Sequence, residues 1–230
     1  MKEEEKYTRK IKQKWTRWLK KDLFSEFWYL LKLKKIYEIM LNIFKNAEKY
    51  PENNWSYWYV KHTYTDAIIA SIYRITDMRS RKDVISLYRL LNEVKDNRRL
   101  ISRKAYTRIT GNKWKNSIYY GLEKDRLNNE FTQVAAGGAY IRPSIVRRDI
   151  SQIKKIYKEI KNFRHKFVAH HAYDQRRYRK IPTFPEVNDF VKQLYDIFSK
   201  YYLLITGGAV VINIDRDEEE IKADLAAIFK

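Results

Sequence analysis

The sequence predicts an all-α protein, and three observations support this. Over most of the 230 residues, apolar side chains recur at alternating three- and four-residue steps, the spacing of one helix face. Only four prolines interrupt the pattern. Hydrophobic residues make up 44% of the chain, so a buried core is expected and disorder is not.

The predicted helices follow one another with short breaks. They are expected at about 4–20, 22–48, 54–77, 82–94, 122–134, from 144 through the histidines near 170, and 186–205. Pro51, Gly137-Gly138, Pro143 and Gly207-Gly208 mark helix ends or starts. The segment 96–121 is weakly periodic, and we predict a broken helix and loop there, with a turn at Gly111-Asn112.

No repeat or linker divides the chain, so residues 1–206 are predicted to form a single all-α domain, of which 1–20 is a basic N-terminal helix. Residues 207–230 are predicted to form a C-terminal extension, with a short strand at Val210 to Ile214 followed by a helix. Asp215 and Glu218 have the spacing of a capping box. The acidic run 217–220 is therefore interpreted as compensating the helix dipole, and not as a metal site.

The charge balance indicates the kind of partner. Lys and Arg outnumber Asp and Glu 48 to 28, and the net charge of +20 favours a polyanion, nucleic acid before an anionic membrane surface. The absence of cysteine excludes disulfides and thiol chemistry, and with only four histidines a zinc site is not expected. No apolar run approaches the roughly 20 residues of a spanning helix. Because Met1 to Tyr7 also lacks an apolar core, we expect a cytoplasmic protein that does not enter the membrane.

Candidate chemistry is concentrated between Arg164 and His171, which include three of the four histidines. Arg164 and His170 flank an apolar stripe on the preceding helix, formed by Ile153, Ile156, Ile160, Phe163 and Phe167. A guanidinium and an imidazole beside an apolar seam are costly unless something meets them there. A partner helix, a second subunit or an anion could do so.

Arg164-His165, four further residues and then His170 resemble the arginine, polar residue, four residues, histidine signature of HEPN-domain ribonucleases. The segment 163–170 also resembles the matching phrase of the abortive-infection AbiU-like branch. The segment 72–77, which ends in Asp77, is similar to a helix of that branch. The resemblance covers roughly residues 20–205 and implies a HEPN-like helical bundle.

The resemblance implies metal-independent RNA cleavage that needs no cofactor, at a composite site where two copies of the motif meet in a homodimer. Arg164 would stabilise the scissile phosphate, and His170 would accept or donate the proton. Asp77 is a further catalytic candidate supported by the family, and His165 could orient the site through a hydrogen bond. The expected products carry a 2′,3′-cyclic phosphate and a 5′-hydroxyl.

Several assignments have alternatives. His171 fits the spacing of HEPN toxins that end in histidine, any residue, tyrosine, which makes His171 an alternative catalytic histidine and Tyr173 a modification candidate. His170 is preferred because it fits the AbiU-like phrase and lies further from the centre of the apolar stripe. The residues expected to hold RNA are Lys166, Arg176, Arg177 and Arg179.

Two aromatic or mixed surfaces also have alternative interpretations. Trp15 and Trp18 could stack on bases, but an amphipathic helix that packs them inward is preferred. His62, Asp66 and Tyr73 share a face of the third helix that could be half-exposed surface or could line the cleft.

Two functions compete with RNA cleavage. The chain could be a non-catalytic nucleic-acid-binding module, in which the basic side chains bind the nucleic acid and no residue acts in catalysis. It could instead be a helical interaction module that binds an acidic antitoxin. For a toxin, a nucleotidyltransferase is another expected partner.

Overall fold

A computed structural model describes residues 3–46, 55–79, 84–114, 120–136, 138–164, 184–213 and 218–228. Within these ranges the chain forms helices and no strand, so the predicted all-α class is confirmed. The helices are α1 (Glu3–Arg17), a π-helical segment (Trp18–Leu23), α2 (Phe24–Asn46), α3 (Trp55–Thr76), α4 (Leu87–Asp96), a 3-10 turn (Arg98–Leu100), α5 (Arg103–Trp114), α6 (Tyr120–Ala135), α7 (Pro143–Phe163), α8 (Phe184–Thr206) and α9 (Glu218–Ile228).

The N-terminal helix packs its tryptophans inward. Trp15 and Trp18 are buried, and the Trp15 indole Nε1 donates a hydrogen bond to Glu93 of α4 at 3.0 Å. The wider turns of the π-helical segment join α1 to α2 without a break and keep Leu19 and Leu23 in the core. The preferred interpretation of the basic segment as an amphipathic helix is confirmed, because neither ring is available to stack on a base.

The long helix α7 positions the candidate site. Pro143 occupies the start of α7, as predicted. Ile153, Ile156 and Ile160 are fully buried, so the apolar stripe predicted from their spacing faces the core. Packing of this stripe against α3 and α4 brings the C-terminal end of α7 close to the end of α3.

Helix α4 begins later than predicted. It starts at Leu87 because the buried Ser86 caps it, accepting a hydrogen bond from the backbone N–H of Arg89 at 3.2 Å. The Ser86 hydroxyl also donates to the backbone carbonyl of Asp77 at 2.7 Å. This single side chain therefore fixes the backbone just beyond α3 and starts α4.

The segment 96–121 is more helical than predicted. Gly111 and Asn112 lie within α5, so the predicted turn at these residues was wrong. A helical glycine costs about 1 kcal/mol relative to alanine, and burial of neighbouring side chains can outweigh that. Tyr106 of α5 is buried against Phe131 of α6, which ties α5 to the core.

The C-terminal part follows the prediction except for its strand. Gly207 has a φ of +67°, a conformation suited to glycine, and it ends α8 as predicted. The predicted strand at Val210 to Ile214 was wrong over its described part, because 209–213 are irregular and no strand lies beside them in the described chain. Val210 and Ile212 pack against the core instead. The division of the chain at residue 206 stays a prediction.

Helix α9 is present, and its acidic start is used in ion pairs. The Glu218 carboxylate lies 2.5 Å from the Lys35 ammonium of α2 and 3.0 Å from that of Lys222. Asp215 lies outside the described residues. In the ranges that the structure describes, no helix has the length and apolar character needed to cross a membrane.

Candidate functional site

Arg164 lies at the C-terminal end of α7, half-buried against Tyr73 of α3. Its guanidinium carbon is 4.5 Å from the centroid of the Tyr73 ring, a cation–π distance. Tyr73 lies one helical turn before Asp77. The structure therefore brings two of the predicted catalytic residues, Arg164 and Asp77, close enough for their charges to interact.

The Asp77 carboxylate is buried and held by Arg79. The Arg79 Nε donates to both carboxylate oxygens, at 3.0 and 2.8 Å, and the Arg79 backbone N–H donates at 2.9 Å. Burial by itself raises the pKa of Asp77, but the hydrogen bonds and charge of Arg79, with the charge of Arg164, outweigh it and hold the pKa below its usual value. Asp77 is therefore an anion at neutral pH and has no proton to donate.

A pair of tyrosines forms the other side of the cluster. The hydroxyl oxygens of Tyr73 and Tyr157 lie 3.3 Å apart, and their rings stack with centroids 5.3 Å apart. Burial, together with the hydrogen bond to Tyr73, raises the pKa of Tyr157 to about 12. The Tyr157 hydroxyl therefore stays protonated at neutral pH and acts as a hydrogen-bonding group.

Helical spacing explains why these side chains meet. Tyr73 and Asp77 are four residues apart at the end of α3, and Tyr157 and Arg164 are seven residues apart at the end of α7. Both intervals return a side chain to nearly the same helix face. Because α3 packs against α7, the two faces join in one cluster, which we call the Arg164 cluster: Tyr73, Asp77, Arg79, Tyr157 and Arg164.

The donors of Arg164 are not used by a carboxylate in the described part of the chain, where Arg164 forms no ion pair. Asp77 contributes charge at a distance but is bound directly by Arg79. A half-buried guanidinium with unused donors can bind a phosphate through two parallel hydrogen bonds. The cluster is thus suited to hold an anion at Arg164.

Other predicted site residues are not in the cluster or lie beyond the described chain. His62 and Asp66 are exposed on α3, about 16 and 10 Å before Tyr73 along the helix axis. The predicted residues outside the described ranges are His165, Lys166, His170, His171, Tyr173, Arg176, Arg177 and Arg179. Their assignments stay predictions.

Two members of the cluster, Arg79 and Tyr157, were not predicted as site residues. The spacing of Tyr157, two turns before Arg164, was a usable signal, since it places both on one face of α7. Arg79 follows Asp77 closely enough for a local side-chain to backbone hydrogen bond, but charged pairs at this spacing are common in a basic chain.

The described residues offer no group of three or more His, Asp or Glu side chains that could hold a metal ion. His165, His170 and His171 lie outside the described residues. A metal at the Arg164 cluster itself would have only the Asp77 carboxylate as a ligand, and that carboxylate is already bound by Arg79.

Comparison with known protein families identifies the family to which the chain belongs. The all-α fold and the arginine at the end of the long helix α7 agree with the HEPN class of helical domains suggested by the sequence motif. A family model described as AbiU2, a HEPN family, matches residues 12–224, and the chain therefore belongs to the AbiU2 family of HEPN-domain, abortive-infection proteins. The match includes the last part of α1 and most of α9, which the motif resemblance over 20–205 left out. No curated protein and no solved structure matches the chain.

Proposed function

We propose that this protein is a metal-independent endoribonuclease of the HEPN type that acts in phage defence or as a toxin. The observation that carries the proposal is Arg164, whose guanidinium lies half-buried on Tyr73 without an ion pair in the described chain. A cation kept there, beside the protonated Tyr157 hydroxyl and an Asp77 carboxylate already paired with Arg79, favours binding of an anionic ligand. Membership of an abortive-infection family supports RNA as that ligand.

The proposed reaction uses Arg164 and His170. Arg164 binds the scissile phosphate and stabilises the negative charge that develops on it. An imidazole with an ordinary pKa near 6.5 can accept the proton of the 2′-hydroxyl or donate one to the leaving oxygen. The 2′-oxygen attacks phosphorus and the bond to the 5′-oxygen breaks, which leaves a 2′,3′-cyclic phosphate and a 5′-hydroxyl.

The remaining predicted residues have supporting roles in this proposal. Because Asp77 stays ionised and bound to Arg79, its proposed role is to hold Arg164 by charge and not to transfer a proton. His165 is proposed to orient the site, and His171 and Tyr173 remain the alternatives for catalysis and modification. The residues proposed to bind the RNA are Lys166, Arg176, Arg177 and Arg179. If the protein is a toxin, an acidic antitoxin or a nucleotidyltransferase is the proposed restraining partner.

The protein is expected to be a homodimer in which the Arg164 clusters of the two subunits face one another across a basic cleft. Within the described part of one subunit the Arg164 guanidinium forms no ion pair, and an RNA phosphate shared between two copies would supply one. Sedimentation velocity at micromolar concentration should give a dimer. A monomer that cleaves RNA at the full rate would contradict the composite site.

Cleavage is expected to survive chelation. Total RNA is incubated with the purified protein in EDTA and, in parallel, in magnesium, and the initial rates are compared. Equal rates are expected because the proposed groups carry out the proton transfer and charge stabilisation without a metal. Activity that vanishes in EDTA and returns with magnesium would refute the mechanism while leaving the family assignment intact.

A further inference from the structure

A basic groove runs along one face of α1 and the π-helical segment, far along the chain from the Arg164 cluster. It encloses a cavity of about 1020 Å³. The cations that line it, which we call the groove cations, are Arg9, Lys12, Arg17, Lys20, Lys21 and Arg108. Among the described lining residues, the only carboxylate is Glu5.

Helical geometry explains the stripe of charge. Arg9, Gln13, Arg17 and Lys21 recur at four-residue steps, and Lys12, Thr16 and Lys20 form a second row three residues further on, so these residues share one helix face. Trp15, on the other face, is buried. Because the tryptophan face packs into the core, the basic face is directed toward solvent. Arg108 of α5 completes the groove from the other side.

The positive charge of the groove exceeds the negative charge among its described lining residues. In the described part of the chain, none of the groove cations forms an ion pair. Burial lowers the pKa of Lys12, and the nearby positive charge of Arg108 lowers it further. The six groove cations repel one another and share only one lining carboxylate, and a bound polyanion would relieve that repulsion.

We propose that this groove binds the phosphate backbone of RNA as a second contact surface, separate from the Arg164 cluster. The inference rests on the proposed function for the identity of the polyanion. From Arg9 to Lys21 the groove spans about 18 Å along the helix axis. That length faces several phosphates, since one strand of a duplex carries a phosphate every 3.4 Å or so.

The lining favours the backbone over the bases and RNA over a membrane. The described lining contains Thr8, Gln13 and Thr16 beside the cations, but no aromatic or large aliphatic side chain. Bases have no stacking platform there, so binding is through phosphates and independent of sequence. A concave groove also follows a strand better than it follows a flat bilayer, and its described lining presents no apolar side chain for insertion into lipid.

The test measures binding without cleavage. A fluorescent 2′-O-methyl oligoribonucleotide lacks the 2′-hydroxyl nucleophile, so its affinity for the intact protein can be measured over a potassium chloride series. The variant Arg9→Gln/Arg17→Gln/Lys20→Gln removes three exposed groove cations. Each lost phosphate contact lowers the slope of log K against log salt by about 0.7, so the slope is expected to fall by about 2. Affinity near physiological salt is expected to fall at least roughly tenfold.

A matched control separates the groove from net charge. Arg147→Gln/Lys155→Gln/Lys192→Gln also removes three exposed cations, none of which lines the groove. This control is expected to keep nearly the wild-type slope, and circular dichroism should show both variants folded. Equal losses in the two variants, an unchanged groove variant, or no binding of the oligonucleotide by the wild type would each overturn the proposal.

Two further assays separate failure of the groove proposal from failure of the proposed function. Vesicles containing phosphatidylserine are offered to the same proteins; loss of vesicle binding with unchanged RNA affinity in the groove variant would assign the groove to a membrane and overturn the RNA proposal. Cleavage of ordinary RNA is assayed separately. Cleavage by the wild type with an unaffected groove variant refutes the groove alone, whereas groove-dependent binding without cleavage refutes the proposed function alone.

Discussion

An Arg164→Ala variant is expected to cleave RNA roughly 10²- to 10³-fold more slowly than the wild type while remaining folded, the size of effect seen when one charge-stabilising donor is removed. Arg164 is half-buried over Tyr73 but fills no part of the fully buried core. Its removal therefore deletes the proposed transition-state contact with little loss of packing. The measurement is kcat/KM on a defined RNA, with the thermal unfolding midpoint as the check on folding.

The partner variant His170→Ala is expected to lose roughly 10²- to 10⁴-fold, the range for a general acid or base. His171→Ala is the matched control, since it deletes a neighbouring imidazole from the same segment, and it is expected to lose much less. The reverse result, with His170→Ala active and His171→Ala inactive, would move the catalytic role to His171. An active Arg164→Ala variant would remove the basis of the proposed site.

The Asp149→Ala variant is expected to lower the free energy of unfolding by about 3–5 kcal/mol, the cost of breaking a buried ion pair by removing one partner. Asp149 is 1% exposed and lies on the buried face of α7, one turn before Ile153. It accepts hydrogen bonds from the Lys200 ammonium at 2.9 and 2.8 Å and from the Tyr201 hydroxyl at 3.0 Å. Burial, with the charge of Asp149, raises the pKa of Tyr201, so its hydroxyl stays protonated and loses its acceptor in the variant.

Arg148→Ala is the control for this loss. The Arg148 guanidinium lies 3.8 Å from the Asp149 carboxylate, but its side chain is 70% exposed, so solvent screens the pair. A change of no more than about 1 kcal/mol is expected in urea unfolding. In addition, Asp149→Leu/Lys200→Met should be less destabilised than Asp149→Leu alone, because the double variant leaves no unpaired ammonium. An Asp149→Ala variant as stable as the Arg148→Ala control would show that the buried pair contributes nothing measurable.

The helices could be predicted where periodicity and end signals agreed. In α7, Pro143 and the buried isoleucine stripe predicted both the start of the helix and its core face. Placement of Trp15 in the core was also predictable, because lysines occupy the other face of α1. The nearness of Asp77 to Arg164 depended on the family resemblance and not on periodicity, since the two residues lie far apart in sequence.

The features that were predicted wrongly or not predicted at all have one cause: they depend on tertiary contacts that the local sequence does not reveal. Gly111 lies in a helix because the packing of α5 outweighs a weak local preference, and Val210 is not in a strand because no partner strand lies beside it in the described chain. Asp149 was not predicted as a buried residue, since its partners Lys200 and Tyr201 come from α8. The basic groove similarly needs Arg108 from α5, which the sequence of α1 cannot reveal.

The most direct test of the central claim is cleavage of one defined RNA in EDTA, with and without a single 2′-deoxy substitution at the nucleotide before the mapped cleavage site. The proposed mechanism predicts that the all-ribose RNA is cut to a 2′,3′-cyclic phosphate and a 5′-hydroxyl, and that the deoxy-substituted bond stays intact because its nucleophile is missing. Cleavage of the deoxy-substituted bond at the same rate, or products that carry a 5′-phosphate, would contradict it.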